Sequence, residues 1–141
     1  MPMAKRSILY LDDEAMCLDV FHQVFSEEYD IRTALTLDEA RRALAERPPD
    51  IIISDQTMPE LRGSDFLREA ATAYPLSVRM MLTGSVCVGE VLREISTGVV
   101  NLFISKPWAE TDMRRALEWA VSQKLVGGTV RLNDTSPVQQ P

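Results

Sequence analysis

The chain has 141 residues, 45% hydrophobic and 26% charged, the composition of one globular domain rather than a disordered segment. Its 21 acidic residues outnumber 15 basic ones for a net charge of −6, a balance that argues against direct binding of nucleic acid. No apolar run approaches the ~20 residues of a membrane span, and the opening MPMAKRSILYLDDE lacks the long apolar stretch of a secretory signal, so a cytoplasmic protein is expected.

The first strand is expected over 7–11, where Ile8-Leu9-Tyr10-Leu11 is an unbroken apolar run. A helix follows over 15–29, with Leu18, Phe21 and Phe25 on one face. Residues 30–35 form a second strand, and Thr36 with Glu39 reads as a capping box for a helix that Pro48-Pro49 stops. A third strand over 50–54 leads to a helix over 64–74, ending before Pro75. The fourth strand, 77–82, precedes a helix over 86–97 closed by Gly98. Its first turn, Val86-Cys87-Val88-Gly89, combines β-branched residues with an internal glycine and is expected to fray. The fifth strand, 101–105, is followed by a helix of about 109–125, which Gly127-Gly128 ends. Residues 127–141 are polar and proline-containing, a flexible tail or the start of a linker, which leaves 1–126 as the domain. Cys17 and Cys87 have no metal-type spacing and read as small buried hydrophobes in a reducing compartment.

Three strands (ILYL, IIIS, VRMML) are nearly continuous apolar runs, as strands buried on both faces of a parallel sheet require. Five strand–helix units in a row imply an open, doubly wound α/β sheet with right-handed crossovers. Such sheets bind ligands outside the carboxyl ends of their strands. Four of those ends carry polar residues: Asp12-Asp13 after the first strand, Asp55 after the third, Thr83 after the fourth and Lys106 after the fifth. Each alone has an ordinary explanation, such as a helix start, a turn cap or a surface loop. Together they point to one site, because three carboxylates repel at short range unless cations intervene. Lys106 supplies one charge, and a hard divalent ion with oxygen ligands, Mg²⁺, fits the remainder. A carboxylate, a divalent ion, a lysine and a hydroxyl around one point form a phosphoryl-transfer constellation, in which the carboxylate can be the nucleophile.

The order Leu11-Asp12-Asp13-Glu14, Asp55-Gln56-Thr57-Met58-Pro59 with Gly63 downstream, Leu82-Thr83-Gly84 and Lys106-Pro107-Trp108 resembles the receiver domain of two-component response regulators, from about Arg6 to Gln123. The resemblance implies a flavodoxin-like sheet of strand order 2-1-3-4-5 with five helices. It implies Asp55 as phosphoacceptor from a sensor histidine kinase or phosphotransfer protein. Asp13, Asp55 and the Thr57 carbonyl would ligate Mg²⁺ directly and Asp12 partly through water. Lys106 would pair with Asp55 and then with a phosphoryl oxygen, and Thr83 would hydrogen-bond the phosphoryl group. Phe103 falls at the switch-aromatic position, and Pro107 matches a proline often preceded by a cis peptide bond. Pro59 and Gly63 are structural members of the motif. The fourth helix, fifth strand and fifth helix would form the output or dimer surface this family commonly uses, while the pairs Glu110–Arg114, Asp112–Arg115 and Arg114–Glu118 equally fit a solvated, self-paired helix face.

Thr57 and Ser85 occupy two positions that tune phosphate lifetime in the family, and neither is a long acid or amide able to hold an attacking water. Trp108 reads as a hydrophobic staple for the last helix, or else as a partner-facing aromatic. His22 reads as a surface residue. Two other functions are weighed: a degenerate receiver acting only as an interaction module, and a phosphohydrolase with an aspartyl nucleophile. The intact Asp13, Asp55, Thr83 and Lys106 set opposes the first. Thr57, where a haloacid-dehalogenase-type enzyme would carry a second acid, opposes the second.

Overall fold

A computed structural model describes residues 5–84 and 88–125. Along them the elements alternate as β1 (Ser7–Leu11), α1 (Ala15–Phe25), β2 (Asp30–Ala34), α2 (Leu37–Glu46), β3 (Ile51–Asp55), α3 (Gly63–Ala73), β4 (Val78–Thr83), α4 (Val88–Ser96), β5 (Leu102–Ser105) and α5 (Glu110–Leu125). The five strands are parallel, in the order β2-β1-β3-β4-β5. That is the doubly wound α/β architecture and strand order expected.

Side chains alternate across the sheet and so feed two cores. Ile8, Tyr10, Ile51, Ile53, Met80 and Leu82 pack with Leu18, Phe21 and Phe25 of α1 and Met113, Leu117 and Ala120 of α5. Leu9, Leu11, Ile52 and Met81 point the other way, against Ala40 and Leu44 of α2 and Phe66, Leu67 and Ala70 of α3. α4 joins α3 through Arg68, whose guanidinium donates to both oxygens of the buried Glu94 carboxylate at 3.2 and 3.0 Å. Among the described residues no helix is long and apolar enough to cross a membrane.

The local signals act largely as expected, with some corrections. Thr36 caps α2, its hydroxyl accepting from Glu39 N at 3.1 Å, but Glu39 returns to Leu35 N at 2.8 Å rather than to Thr36. α1 stops at Phe25, not at 29; beyond it Glu28 N and Tyr29 N both donate to the Phe25 carbonyl in a closing turn, and Tyr29 is tucked into the core. Trp108 packs on Phe21 and Phe25, with ring centroids 6.2 and 6.0 Å away, as a staple between α1 and the start of α5. Gly98 closes α4 with φ at 78°, a left-handed conformation that favours glycine. Cys17 is not a buried hydrophobe: it is half-buried near the start of α1, where its thiol donates to Glu14. His22 is exposed. Residues 85–87 and 126–141 lie outside the described residues, and with them the expected fraying at Val86-Cys87, the Ser85 position, Cys87 and the tail over 127–141.

Register decides where the site lies. Leu11 sits opposite Ser54, Asp55 opposite Leu82, and Thr83 opposite Ser105. The carboxyl ends of β1, β3, β4 and β5 are therefore level, and Asp12, Asp55, Thr83 and Lys106 emerge along one edge.

Candidate functional site

β1 delivers Asp12 to a fully buried position, where its backbone N–H prolongs the pairing with β2 by donating to Ala34 O at 3.1 Å. Its carboxylate is engaged on both oxygens. Oδ1 accepts from Glu14 N at 3.0 Å, and Oδ2 accepts from the Tyr10 hydroxyl at 2.7 Å and from Lys106 Nζ at 3.2 Å. Asp13, the next residue, is exposed.

Asp55 is the last residue of β3 and buried; Thr83, also buried, is the last of β4. Lys106 follows β5 directly, held by its N–H donating to Thr83 O at 2.9 Å. From there Nζ reaches Asp55 Oδ1 at 3.2 Å as well as Asp12. One ammonium thus bridges carboxylates 94 and 51 residues away in sequence. Carboxylate oxygens of Asp12, Asp13 and Asp55 lie within 4.8 Å of one another. An all-oxygen set of this kind, open through the exposed Asp13, suits a hard divalent cation such as Mg²⁺, which retains water ligands.

Charge is out of balance here: three acids face one lysine. Burial raises the Asp55 carboxyl above the ordinary carboxylate range, the Asp12 charge adds to that, and Lys106 works against it. For Lys106, burial pulls downward, but Asp12 and Asp55 outweigh it and the ammonium ends above its usual value. Burial and the hydrogen bond to Asp12 push the Tyr10 hydroxyl far up, so it remains a donor.

The loop after β3 is shaped by a glycine. A Cβ on Gly63 would stand 2.9 Å from both the Asp55 carbonyl carbon and Gln56 Cα, and closer still to the Asp55 carbonyl oxygen. Only glycine lets the start of α3 lie against the strand end that carries Asp55. Gln56 completes this junction: its backbone carbonyl accepts from Gly63 N at 2.9 Å and its side-chain oxygen from Ser64 N at 2.8 Å. Thr57 and Pro59 lie exposed on the intervening loop, and Pro59 lines a cavity of about 240 Å³ with Asp13, Leu35, Met58 and Leu61. Phe103 is half-buried on the α2–α3 side of the sheet. The Lys106–Pro107 peptide is cis.

Two side chains at the site escape a motif reading. Tyr10 looks like one more apolar strand residue, yet it stands two before Asp12, and the period of a strand places both on one face. Gln56 looks like filler within its motif. No spacing rule marks it, because its partners belong to the next helix.

The level strand ends, the acid cluster and the bridging lysine define a class of doubly wound modules with an acidic pocket at the carboxyl edge of the sheet. Comparison with known proteins narrows the class. The sequence matches the family described as "Response regulator receiver domain" over residues 8–118, and the chain belongs to that family. It is 30% identical over 128 residues to the hydrogenase transcriptional regulatory protein HoxA of Cupriavidus necator, a match covering 90% of this chain and 27% of HoxA. It is 28% identical to a protein-glutamate methylesterase/protein-glutamine glutaminase of Nitrosomonas europaea, covering 96% of this chain and 39% of that protein. Among solved structures, the signal receiver domain of an HD domain-containing protein from Pseudomonas fluorescens Pf-5 superposes with a TM-score of 0.81 at 27% identity, covering 87% of this chain and 99% of that one. The chain spans about a quarter to two fifths of the length of the curated relatives it matches. Receiver domains are regulatory modules of two-component signalling.

Proposed function

We propose that this chain is a phosphorylation-driven switch in which Asp55 accepts a phosphoryl group from a sensor histidine kinase or phosphotransfer protein. The observation that carries the reading is Lys106, whose single ammonium sits 3.2 Å from both Asp12 and Asp55. A carboxylate oxygen of Asp55 attacks phosphorus, the P–N bond of the donor phosphohistidine breaks, and the leaving imidazole takes up a proton. Asp13, Asp55 and the Thr57 carbonyl would hold Mg²⁺, with Asp12 contacting it through water. The ion, when bound, neutralises charge on the phosphoryl oxygens. Lys106 transfers its hydrogen bond from the Asp55 carboxylate to a phosphoryl oxygen. The Thr83 hydroxyl donates to another, drawing the end of β4 inward. Gly63 and Pro59 shape the loop that leaves room for the incoming group.

Output runs through α4, β5 and α5. Phe103 on β5 lies three residues before Lys106 and is the side chain that changes burial when Thr83 moves. Leu92 and Ile95 of α4 are exposed. Separately, β5 and α5 form a groove of about 360 Å³, lined by Leu102, Ile104, Ala116 and Trp119 with Asp112 and Arg115. Apolar surface of this kind serves a homodimer or an output partner. The module works in the cytoplasm beside its phosphodonor, makes no direct contact with nucleic acid at net charge −6, and does not act as an enzyme on other substrates.

The test is incubation with acetyl phosphate, or with beryllofluoride, in the presence of Mg²⁺ while mass and oligomeric state are followed. One adduct per chain, absent from Asp55→Asn, is the expected result. Multiple turnover would indicate a phosphohydrolase, and no response at all an interaction module independent of phosphorylation.

A further inference from the structure

Asp12 is a fully buried carboxylate with three donors, and they are not alike. Glu14 N, on Oδ1, belongs to the adjoining backbone and stays in place. Lys106, on Oδ2, is shared with Asp55 and changes partner in the switch reading. The third donor is the Tyr10 hydroxyl, 2.7 Å from the same Oδ2 and buried with it. That distance lies within the range of a hydroxyl donating to a carboxylate. The Tyr10 ring is fixed from behind by an edge-on contact with Phe21 at 5.1 Å, and Phe21 in turn packs on Trp108. The hydroxyl is therefore aimed rigidly.

A phenylalanine would fill the same space in the core between α1 and the sheet. What the hydroxyl adds is directed at Asp12. Without it, Oδ2 faces Lys106 alone, the two opposite charges close on each other, and the carboxylate turns away from Asp13. With it, Oδ2 is shared, the carboxylate is held at both ends from its own segment of chain, and Lys106 stays divided between Asp12 and Asp55. We propose that Tyr10 is a positioning residue of the cation pocket, orienting Asp12 so that a hydrated divalent ion is received between Asp12, Asp13 and Asp55. This rests on reading those three acids as the Mg²⁺ pocket.

The experiment titrates Mg²⁺ alone into the wild-type chain, Tyr10→Phe, Asp12→Asn and the double variant, following tryptophan fluorescence and binding heat. Tyr10→Phe is expected to weaken Mg²⁺ binding roughly 10-fold, the lower end of what loss of a partner one shell out from a metal produces. In the Asp12→Asn background the same change is expected to have no further effect, because Tyr10 acts through Asp12. A second readout needs no substitution: in wild-type protein the Tyr10 hydroxyl proton should give a downfield, slowly exchanging NMR signal that moves on adding Mg²⁺. Wild-type affinity in Tyr10→Phe, an equal loss in both backgrounds, or a hydroxyl signal indifferent to Mg²⁺ would each overturn the assignment. A wild-type chain that binds no Mg²⁺ would instead overturn the pocket itself.

Discussion

The two ends of the sheet both bury polar side chains, and they treat them differently. At the amino edge, Arg79 of β4 donates through Nε to Val99 O at 2.8 Å, through Nη1 to Ser77 O at 2.6 Å and through Nη2 to Gly98 O at 3.0 Å. Ser7 and Asp50 bond reciprocally there, Ser7 N to Asp50 Oδ2 at 2.9 Å and Asp50 N to Ser7 Oγ at 3.0 Å. Ser77 Oγ donates to Pro49 O at 2.6 Å. Carbonyls and local pairs absorb the polarity, and the result is a latch that holds the α4–β5 connection. At the carboxyl edge, three acids share one ammonium, and Asp55 is pushed toward its neutral form by its own burial and by Asp12. One edge is closed and spends its hydrogen bonds on stability; the other is left short of positive charge, in keeping with the proposed cation and phosphoryl site.

Substitutions at the two edges should separate accordingly. The largest effect is expected at Gly63→Ala, where the new Cβ meets the backbone of Asp55 and Gln56 rather than a flexible side chain. A loss of about 3 kcal/mol or more in chemical unfolding is expected, because the overpacking cannot relax without displacing the strand end. Next comes Arg79→Met at the opposite edge, which strips donors from the carbonyls of Ser77, Val99 and Gly98. It should cost about 2–3 kcal/mol, by the same amount with Mg²⁺ or with chelator. A Mg²⁺-dependent cost would blur the contrast between the edges.

Lys106→Met removes the one cation bridging Asp12 and Asp55. A cost of about 1–3 kcal/mol is expected in chelator, reduced from that of a deeply buried pair because Lys106 retains some solvent contact. Most of it should return on adding Mg²⁺, as seen by differential scanning calorimetry. Smallest, and opposite in sign, is Asp55→Asn. Burial and Asp12 raise the Asp55 carboxyl in the folded state, so the ionised wild type is penalised relative to the unfolded chain. In chelator at neutral pH the variant should be more stable than the wild type, read as a higher melting temperature. The advantage is full above the raised Asp55 pKa, fades as pH falls through it and is gone below the ordinary carboxylate range, where folded and unfolded chains are both protonated. An advantage that grew on acidification would contradict the sign of the imbalance.

What the sequence made legible follows from the range of the interactions involved. β1, β3 and β4 announce themselves because Ile8–Leu11, Ile51–Ile53 and Met80–Leu82 are apolar on both faces. Their boundaries were less visible: β3 and β4 start at Ile51 and Val78 and extend to Asp55 and Thr83, because Asp50 and Ser77 serve the amino-edge network instead. Asp12, Asp55, Thr83 and Lys106 can be read as one group because each stands at or just past the end of an apolar strand run, and parallel strands in register bring their ends level. Arg79 cannot. Within VRMML it is an interruption, and its meaning comes from carbonyls about 20 residues downstream. Tyr10 stood between these cases, on the same strand face as Asp12 but hidden by its apolar neighbours.

The central claim is that Asp55 is where the phosphoryl group arrives. Phosphorylation with acetyl phosphate and Mg²⁺, followed by borohydride reduction, converts a phosphorylated aspartate to homoserine, and peptide mass spectrometry then locates it. Homoserine at position 55 alone, with no conversion when Mg²⁺ is chelated, is the predicted result. Conversion at Asp12 or Asp13, or none anywhere under conditions where Mg²⁺ binding is demonstrated, would contradict it.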